Sequence, residues 1–274
     1  MVAAGLDLRG QRVVLTGASS GIGRVLAKQL AATGARIALV ARRTDLLEEL
    51  AKEVTADGHP KPLVLTADLS RAGVAVEVAH RAMDELGGVD ILVNNAGASL
   101  TGALSRHSDS EAARAIFGTN LWSPLALGAA VIPSMRSQRH GTIVNVTSTI
   151  QSVPLPLLGY YASSKAALAQ ATRSLREELA DTDVRVLEVI PGGTDTALRD
   201  VDSLPWKGSP PRMIRPTSAE KVAAAIVRAL RRGRKRLAYP SYVLAPLEVP
   251  ALGRLLARVG GRRIDSVSAL PAID

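Results

Sequence analysis

The chain has no cysteine among its 274 residues. Disulfides and thiolate chemistry are therefore excluded, and a cytoplasmic location is expected. Aromatic residues are scarce: one Phe, two Trp and four Tyr. With so few rings for stacking, and no recognised nucleic-acid motif beside the basic residues, no nucleic-acid partner is expected. The opening MVAAGLDLRGQ lacks a basic start followed by an apolar run, so no signal peptide is read there. Clean membrane-spanning runs are lacking too. Residues 115–135 carry no charge, but Thr119, Asn120, Ser123, Pro124 and Pro133 interrupt them, and a core or subunit-interface helix is expected rather than a span. Residues 141–164 are also uncharged but rich in Ser, Thr, Asn, Gly and Pro. The sequence shows no internal repeat, no low-complexity tract and no set of metal ligands.

What is present is an ordinary globular composition, 47% hydrophobic and 22% charged, with its charge unevenly placed. Residues 1–216 hold 23 Lys+Arg against 21 Asp+Glu, whereas residues 217–274 hold 11 against 4. The densest part is RRGRKR at 231–236. Such a patch suits a solvated helix end, an acidic partner or anionic lipid.

Apolar strands alternate with helical patterns. RVVLTG reads as a strand and GIGRVLAKQLAATG as a helix closing at Gly34; ARIALVA is a strand and TDLLEELAKEVTADG a helix with Thr44 as N-cap. PLVLTADLS and DILVNNAG are strands around a helix over 71–86. GTIVNVTS and VRVLEVIPGG are strands around a long helix, LGYYASSKAALAQATRSLREELA. An irregular segment at 197–216 precedes a helix, SAEKVAAAIVRALRR, and a strand, KRLAYP. This order predicts one α/β domain over 1–274 with a doubly wound parallel sheet. Residues 240–274 form a basic, partly apolar C-terminal extension.

Between the first strand and the first helix stands TGASSGIG, with the spacing Gly17-x-x-x-Gly21-x-Gly23. Backbone N–H groups and a helix N-terminus at such a turn receive a pyrophosphate. Gly17 permits the tight turn, Gly21 lets the backbone approach the phosphates, and Gly23 lets helix and strand pack closely. Ser19, Ser20 and Ile22 complete the loop.

A second feature is GYYASSKAAL, residues 159–168. Tyr161 and Lys165 are four residues apart and share a helix face, whereas Tyr160 has Ser164 at that spacing. An ammonium beside a phenol favours the phenolate, so Tyr161 is the tyrosine suited to proton transfer near neutral pH.

TGASSGIG, NNAG at 94–97, Ser148, YASSK and PGGTDT at 191–196 resemble, in order and spacing, the motifs of the short-chain dehydrogenase/reductase family. The likeness runs from about residue 8 to 196. It implies a Rossmann-type sheet of about seven strands, a nicotinamide cofactor, a small-molecule carbonyl or alcohol substrate, and a homodimer or homotetramer. It also implies a catalytic group. Ser148, thirteen residues before Tyr161, would bond the substrate oxygen. Tyr161 would give or take the proton, Lys165 would tune it and hold the ribose, and Asn120 would anchor a proton-supplying water. The likeness further assigns cofactor contacts to Asp68, Leu69, Asn94, Ala96, Gly97, Pro191, Gly192, Thr194 and Thr196, with Asn94 also fixing the central strand.

Family members that use NAD usually carry an Asp at the end of the second strand. Here Ala41 stands there, followed by Arg42 and Arg43. A guanidinium grips a 2′-phosphate that an acid would repel, so NADP is expected, with Arg42 as ligand and Ser19 assisting. The expected pocket wall, IQSVPLPLLG at 150–159, is mostly apolar, as are Leu198, Leu204, Trp206 and Met213; an apolar substrate is favoured. Thr147 and Gln151 replace the smaller residues usual beside the serine. A cofactor-sensing or scaffold protein on the same fold is the alternative, and it ranks behind because Tyr161 and Lys165 are both retained. An epimerase of the longer sister family ranks behind on its glycine spacing. The extension, with Arg254, Arg258, Arg262 and Arg263 among apolar residues, suits either packing over the active-site mouth or a neighbouring subunit, or a membrane surface. Pro246 and Pro250 favour packing.

Overall fold

The computed structural model describes residues 6–195, 204–208, 216–268 and 270. Each apolar run forms a strand: β1 Arg12–Thr16, β2 Arg36–Ala41, β3 Leu63–Thr66, β4 Ile91–Asn94, β5 Gly141–Val146, β6 Val184–Pro191 and β7 Arg236–Tyr239. They make one seven-stranded sheet in the order β3-β2-β1-β4-β5-β6-β7, and every pairing is parallel. The order reverses between β1 and β4, which opens a crevice at their carboxyl ends.

Both faces of the central strands are buried, which is why those strands are mostly apolar. Val13, Leu15, Ile37 and Leu39 point to one side, against α1 (Gly21–Ala31), α2 (Thr44–Ala56) and α8 (Ala219–Arg231). Val14, Ala38, Val40 and Leu92 point to the other, against α3 (Val74–Leu86) and α6 (Ser123–Ser137). At about 25 cal/mol per Å² of apolar surface, these two clusters supply most of the folding drive.

Two local expectations are corrected. Thr44 is the first residue of α2 and does not cap it; Arg43 holds the cap position. The Thr44 hydroxyl is instead paired with that of Thr66 on β3, at 2.8 Å. The helix expected over 71–86 starts at Val74, because Arg71 N–H closes a turn on the Asp68 carbonyl and Gly73 takes φ +84°.

Residues 104–137 form α4 (Leu104–His107), α5 (Glu111–Phe117), a π-helical turn (Gly118–Trp122) and then α6. The stretch Glu111–Ser137 is long and apolar enough to cross a membrane by length and composition, and 39% of its most apolar part is buried within the chain.

α7 (Gly159–Glu178) runs from the active-site crevice toward the base of the sheet. Beyond β7, a 3₁₀ turn (Ser241–Leu244), α9 (Ala245–Glu248) and α10 (Pro250–Arg262) form the extension. Pro250 opens α10, where its missing N–H costs nothing. One face of α10 lies on the loop after the 3₁₀ turn Thr149–Gln151: a Cβ on Gly253 would come within 2.7 Å of the Ser152 carbonyl. Ile264, just past α10, joins Ile150, Leu157, Leu158 and Ala162 in a third apolar cluster. The inner face of the extension thus packs within the chain, on residues 152–156.

Candidate active site

The glycine loop leaves β1 and enters α1. Gly17 has φ +68°, and a Cβ on it would meet the Ala96 backbone at 2.8 Å. At Gly23 a Cβ would meet the Gly17 carbonyl at 2.1 Å. The loop is thus pressed against the end of β4. Asn95 fixes it there: its Nδ2 donates to the carbonyls of Thr16 (3.0 Å) and Gly17 (3.2 Å). The Thr16 hydroxyl in turn accepts from the N–H groups of Asn95 and Ala96, both at 3.0 Å. Thr16 and Asn95 lie within the quoted motifs, but the sequence assigned neither a role.

Ser20 holds the N-cap position of α1 without its hydroxyl bonding the first-turn amides. Those N–H groups, Gly21, Gly23 and the partly buried Ile22 form a backbone cradle for an anion. The adjoining guanidinium is that of Arg43, whose Nη2 lies 3.0 Å from Ser19 Oγ and 2.8 Å from Ser20 Oγ. Arg42 sits nearer Asp68 and acts on its charge. Burial opposes ionisation of Asp68, but hydrogen bonds from the Ser70 N–H and hydroxyl, with Arg42 and Arg71 nearby, hold its pKa below the ordinary value. Leu69 is buried beside it. Asn94 is buried and donates 2.8 Å to Asn145 Oδ1 across β4 and β5, as a residue fixing the central strands would. Asn145 donates onward to Thr172 on α7 at 2.9 Å.

Asn120 lies fully buried in the π-helical turn. Its Oδ1 accepts from Ala98 N–H (2.8 Å), and its Nδ2 donates to the Ala98 carbonyl (2.8 Å) and to Ser164 Oγ (2.9 Å). Ser164 then donates to the Tyr161 carbonyl at 2.9 Å. Both amide protons are spent, so the side chain is a clasp between the segment after β4, beyond Gly97, and the first turn of α7. A π turn is a recurrent means of placing such a residue.

Ser148, two residues past β5, stands in extended backbone and caps the 3₁₀ turn: its Oγ accepts from Ile150 N–H at 3.3 Å, leaving its proton to donate. Lys165 is 3% exposed and donates 2.8 Å to the carbonyl of Val146, two residues before Ser148. Burial pushes its ammonium down to about 8. Tyr161, one helical turn earlier, packs against the cluster of Ile150, Leu157 and Ile264. Tyr160 is held elsewhere: its hydroxyl is within reach of the carbonyls of Leu104 and Ser108.

β6 ends in the segment that faces this group. Gly192 N–H donates to Tyr239 O at 2.9 Å, Pro191 O accepts from the Thr149 hydroxyl at 3.2 Å, and the Thr194 hydroxyl donates to Gly192 O at 3.1 Å. Thr196, Leu198 and Met213 lie outside the described residues. Beneath the serine turn is a carboxylate that the sequence reading missed. Glu188, 1% exposed on β6, accepts from Gln151 Nε2 (3.5 Å), lies 3.4 Å from the Thr147 hydroxyl, whose shorter bond is to the Val189 carbonyl (3.1 Å), and faces Arg236 Nε at 3.7 Å. Arg236 also pairs with Glu248 of α9. The unusual Thr147 and Gln151 therefore border the same carboxylate.

A family model described as short chain dehydrogenase matches residues 11–204. A short chain dehydrogenase of Pseudocercospora fijiensis is 37% identical over 193 residues, 70% of this chain and 62% of that protein. The chain thus spans less than two thirds of that relative's length. 11-beta-hydroxysteroid dehydrogenase-like 3 of Arabidopsis thaliana is 34% identical over 231 residues, 84% of this chain and 74% of that protein. Among solved structures, a metagenomic short-chain oxidoreductase in complex with NADP superposes with a TM-score of 0.70 at 28% identity, covering 82% of this chain and 93% of that one. With the glycine loop, the Asn94 strand end, Ser148 and the Tyr161–Lys165 helix seated in that order on a seven-stranded parallel sheet, this chain belongs to the short-chain dehydrogenase family.

Proposed function

We propose that the protein is an NADP(H)-dependent oxidoreductase that interconverts a ketone or aldehyde and an alcohol on an apolar small molecule. The observation that carries this reading is Lys165: a buried ammonium, one turn from Tyr161, anchored to the last residue of β5, two residues before Ser148. Burying a cation costs several kcal/mol, so one kept buried is a candidate for function, and a lysine lowered to about 8 still carries its proton at neutral pH.

The residues present fit a dinucleotide. The glycine loop supplies the close backbone approach and the α1 amides for the pyrophosphate, and Asp68 and Asn94 border the same crevice. Arg42 is the ligand favoured for the 2′-phosphate, and Arg43, already on Ser19 and Ser20, is a second cation at hand. When bound, the cofactor supplies the hydride chemistry. The chain does the rest. Ser148 donates its hydroxyl proton to the substrate oxygen. Tyr161 delivers a proton to that oxygen in reduction and removes it in oxidation. Lys165 favours the phenolate electrostatically and holds the ribose, and Asn120 positions the first turn of α7 through Ser164. The apolar cluster of Ile150, Leu157 and Leu204, with Leu155 and Trp206 packed against it beside Tyr161, is consistent with a substrate of low polarity, and the relative named as a hydroxysteroid dehydrogenase supports that class.

The same reading has the protein act as a homodimer or homotetramer in the cytoplasm. The half-open stretch Glu111–Ser137, with Trp122 63% exposed, supports a subunit contact there. The test is NADPH consumption against a panel of apolar ketones, aldehydes and, in reverse, secondary alcohols. Turnover with at least one, faster with NADPH than with NADH, is expected. NADPH binding without turnover of any would favour a cofactor-sensing protein instead.

A further inference from the structure

We propose that the outward face of α10 is a docking face for an anionic phospholipid surface. The inner face of this helix is already used, against Ser152, Leu155 and Pro156. The outer face is not. At 3.6 residues per turn, Arg254, Arg258 and Arg262 form one exposed row, and Leu255 and Val259 form the row beside it. None of these three arginines forms an ion pair with a described residue.

The apolar half of this surface is out of proportion to the rest of the molecule. Of the nine large apolar side chains that stand exposed among the described residues, six fall between 242 and 270: Tyr242, Val249, Leu255, Val259, Val267 and Leu270. A helix with apolar residues along one row and arginines along its edge lies in a lipid interface, the apolar row entering the acyl boundary and the guanidinium groups reaching back to phosphates. The charge decides between occupants. A second copy of the chain, packed α10 to α10, would set two unpaired arginine rows against each other. The acids closest in the chain are Glu248, already bound to Arg236, and Asp265. An anionic surface offers the complement instead, at about fivefold in affinity for each arginine. The prolines that argue against one long amphipathic helix do not bear on this, because the face needs only the 13 residues from Pro250 to Arg262.

The test is co-sedimentation of the full chain with vesicles of phosphatidylcholine, with and without about 30% phosphatidylglycerol, at low and high salt. Binding is expected on the anionic vesicles at low salt, with strong weakening in high salt. R254Q/R258Q/R262Q is expected to weaken it on the order of 100-fold, and L255S/V259S to reduce it clearly, with no change in oligomeric state by light scattering. R231Q/R232Q/R234Q, in the other basic cluster, is expected to bind almost as the parent does. All these side chains are exposed, so an unchanged melting temperature keeps the comparison readable. No sedimentation of the parent chain at low salt overturns the proposal. So does loss of binding through 231–234 rather than α10, or a shift in oligomeric state in L255S/V259S, which would make the face a subunit interface. None of these readouts involves catalysis, so the outcome is independent of the reaction proposed above.

Discussion

The Tyr160 hydroxyl lies 3.1 Å from the carbonyl of Leu104, which fastens this ring to α4, while Tyr161 packs with the cluster around Ile150. Adjacent tyrosines therefore have separate tasks. Tyr161→Phe is expected to lower turnover by at least about 100-fold while leaving NADPH binding intact. Tyr160→Phe is expected to keep activity within a few-fold and to cost about 1 kcal/mol of stability. NADPH fluorescence titration, turnover and thermal melts on both variants decide it. Equal loss of activity in the two would remove Tyr161 from its assigned role.

Lys165 links pH to stability. Its folded pKa of about 8 lies below the ordinary 10.5, so between those values the unfolded chain holds more protons and cofactor-free stability rises with pH. Below about 8 the whole penalty applies, about 3 kcal/mol. Lys165→Met removes the charge and gives up one hydrogen bond to Val146. The inactive variant is expected to melt several degrees higher than the parent near pH 7, with the gap closing as pH passes from 8 to 10.5. A gap that stays constant across that range would show that Lys165 carries no burial penalty.

Cofactor choice rests on Ala41 and the arginines after it. NADPH is expected to bind about 10- to 100-fold more tightly than NADH, the worth of one charge-assisted phosphate contact. Ala41→Asp with Arg42→Ala is expected to reverse the order. Arg43→Ala alone tests whether the cation on Ser19 and Ser20 shares the contact. A parent protein that prefers NADH by titration would remove the assignment.

Gly23 and Gly128 make a controlled pair. A Cβ at Gly23 would sit 2.1 Å from the Gly17 carbonyl and 2.6 Å from Asn95 Nδ2, whereas at Gly128 the nearest atom is Ile143 Cδ1 at 3.9 Å. Gly23→Ala is expected to abolish dinucleotide binding and destabilise by about 1–3 kcal/mol. Gly128→Ala, inside α6, is expected to be neutral or to stabilise by up to about 1 kcal/mol. Melting curves and NADPH titration on both variants suffice to check this.

What the sequence made legible was local. The strands declared themselves because both sheet faces are buried, and Tyr161 separated from Tyr160 because helical spacing is a property of five consecutive residues. Contacts between distant residues were not legible. Asn95 reaches Thr16 across 79 positions and Asn120 reaches Ser164 across 44, and no spacing rule joins them. Thr44 looked like a cap because its partner on β3, Thr66, is a tertiary one. The sequence favours Arg42, and the contacts of Arg43 with Ser19 and Ser20 were not legible because only the fold brings them together.

The carboxylate of Glu188 has a consequence for anyone exchanging parts between relatives. It joins Thr147 and Gln151, on either side of Ser148, to Arg236 on the edge strand, and Arg236 reaches Glu248 in the extension. Residues from separate parts of the chain thus form one connected polar chain. A chimera that takes its tail from another member, or a truncation before α9, strips Arg236 of one partner. Tail grafts should therefore transplant Thr147, Gln151, Glu188 and Arg236 together with Glu248, or replace the whole set by apolar residues at one stroke.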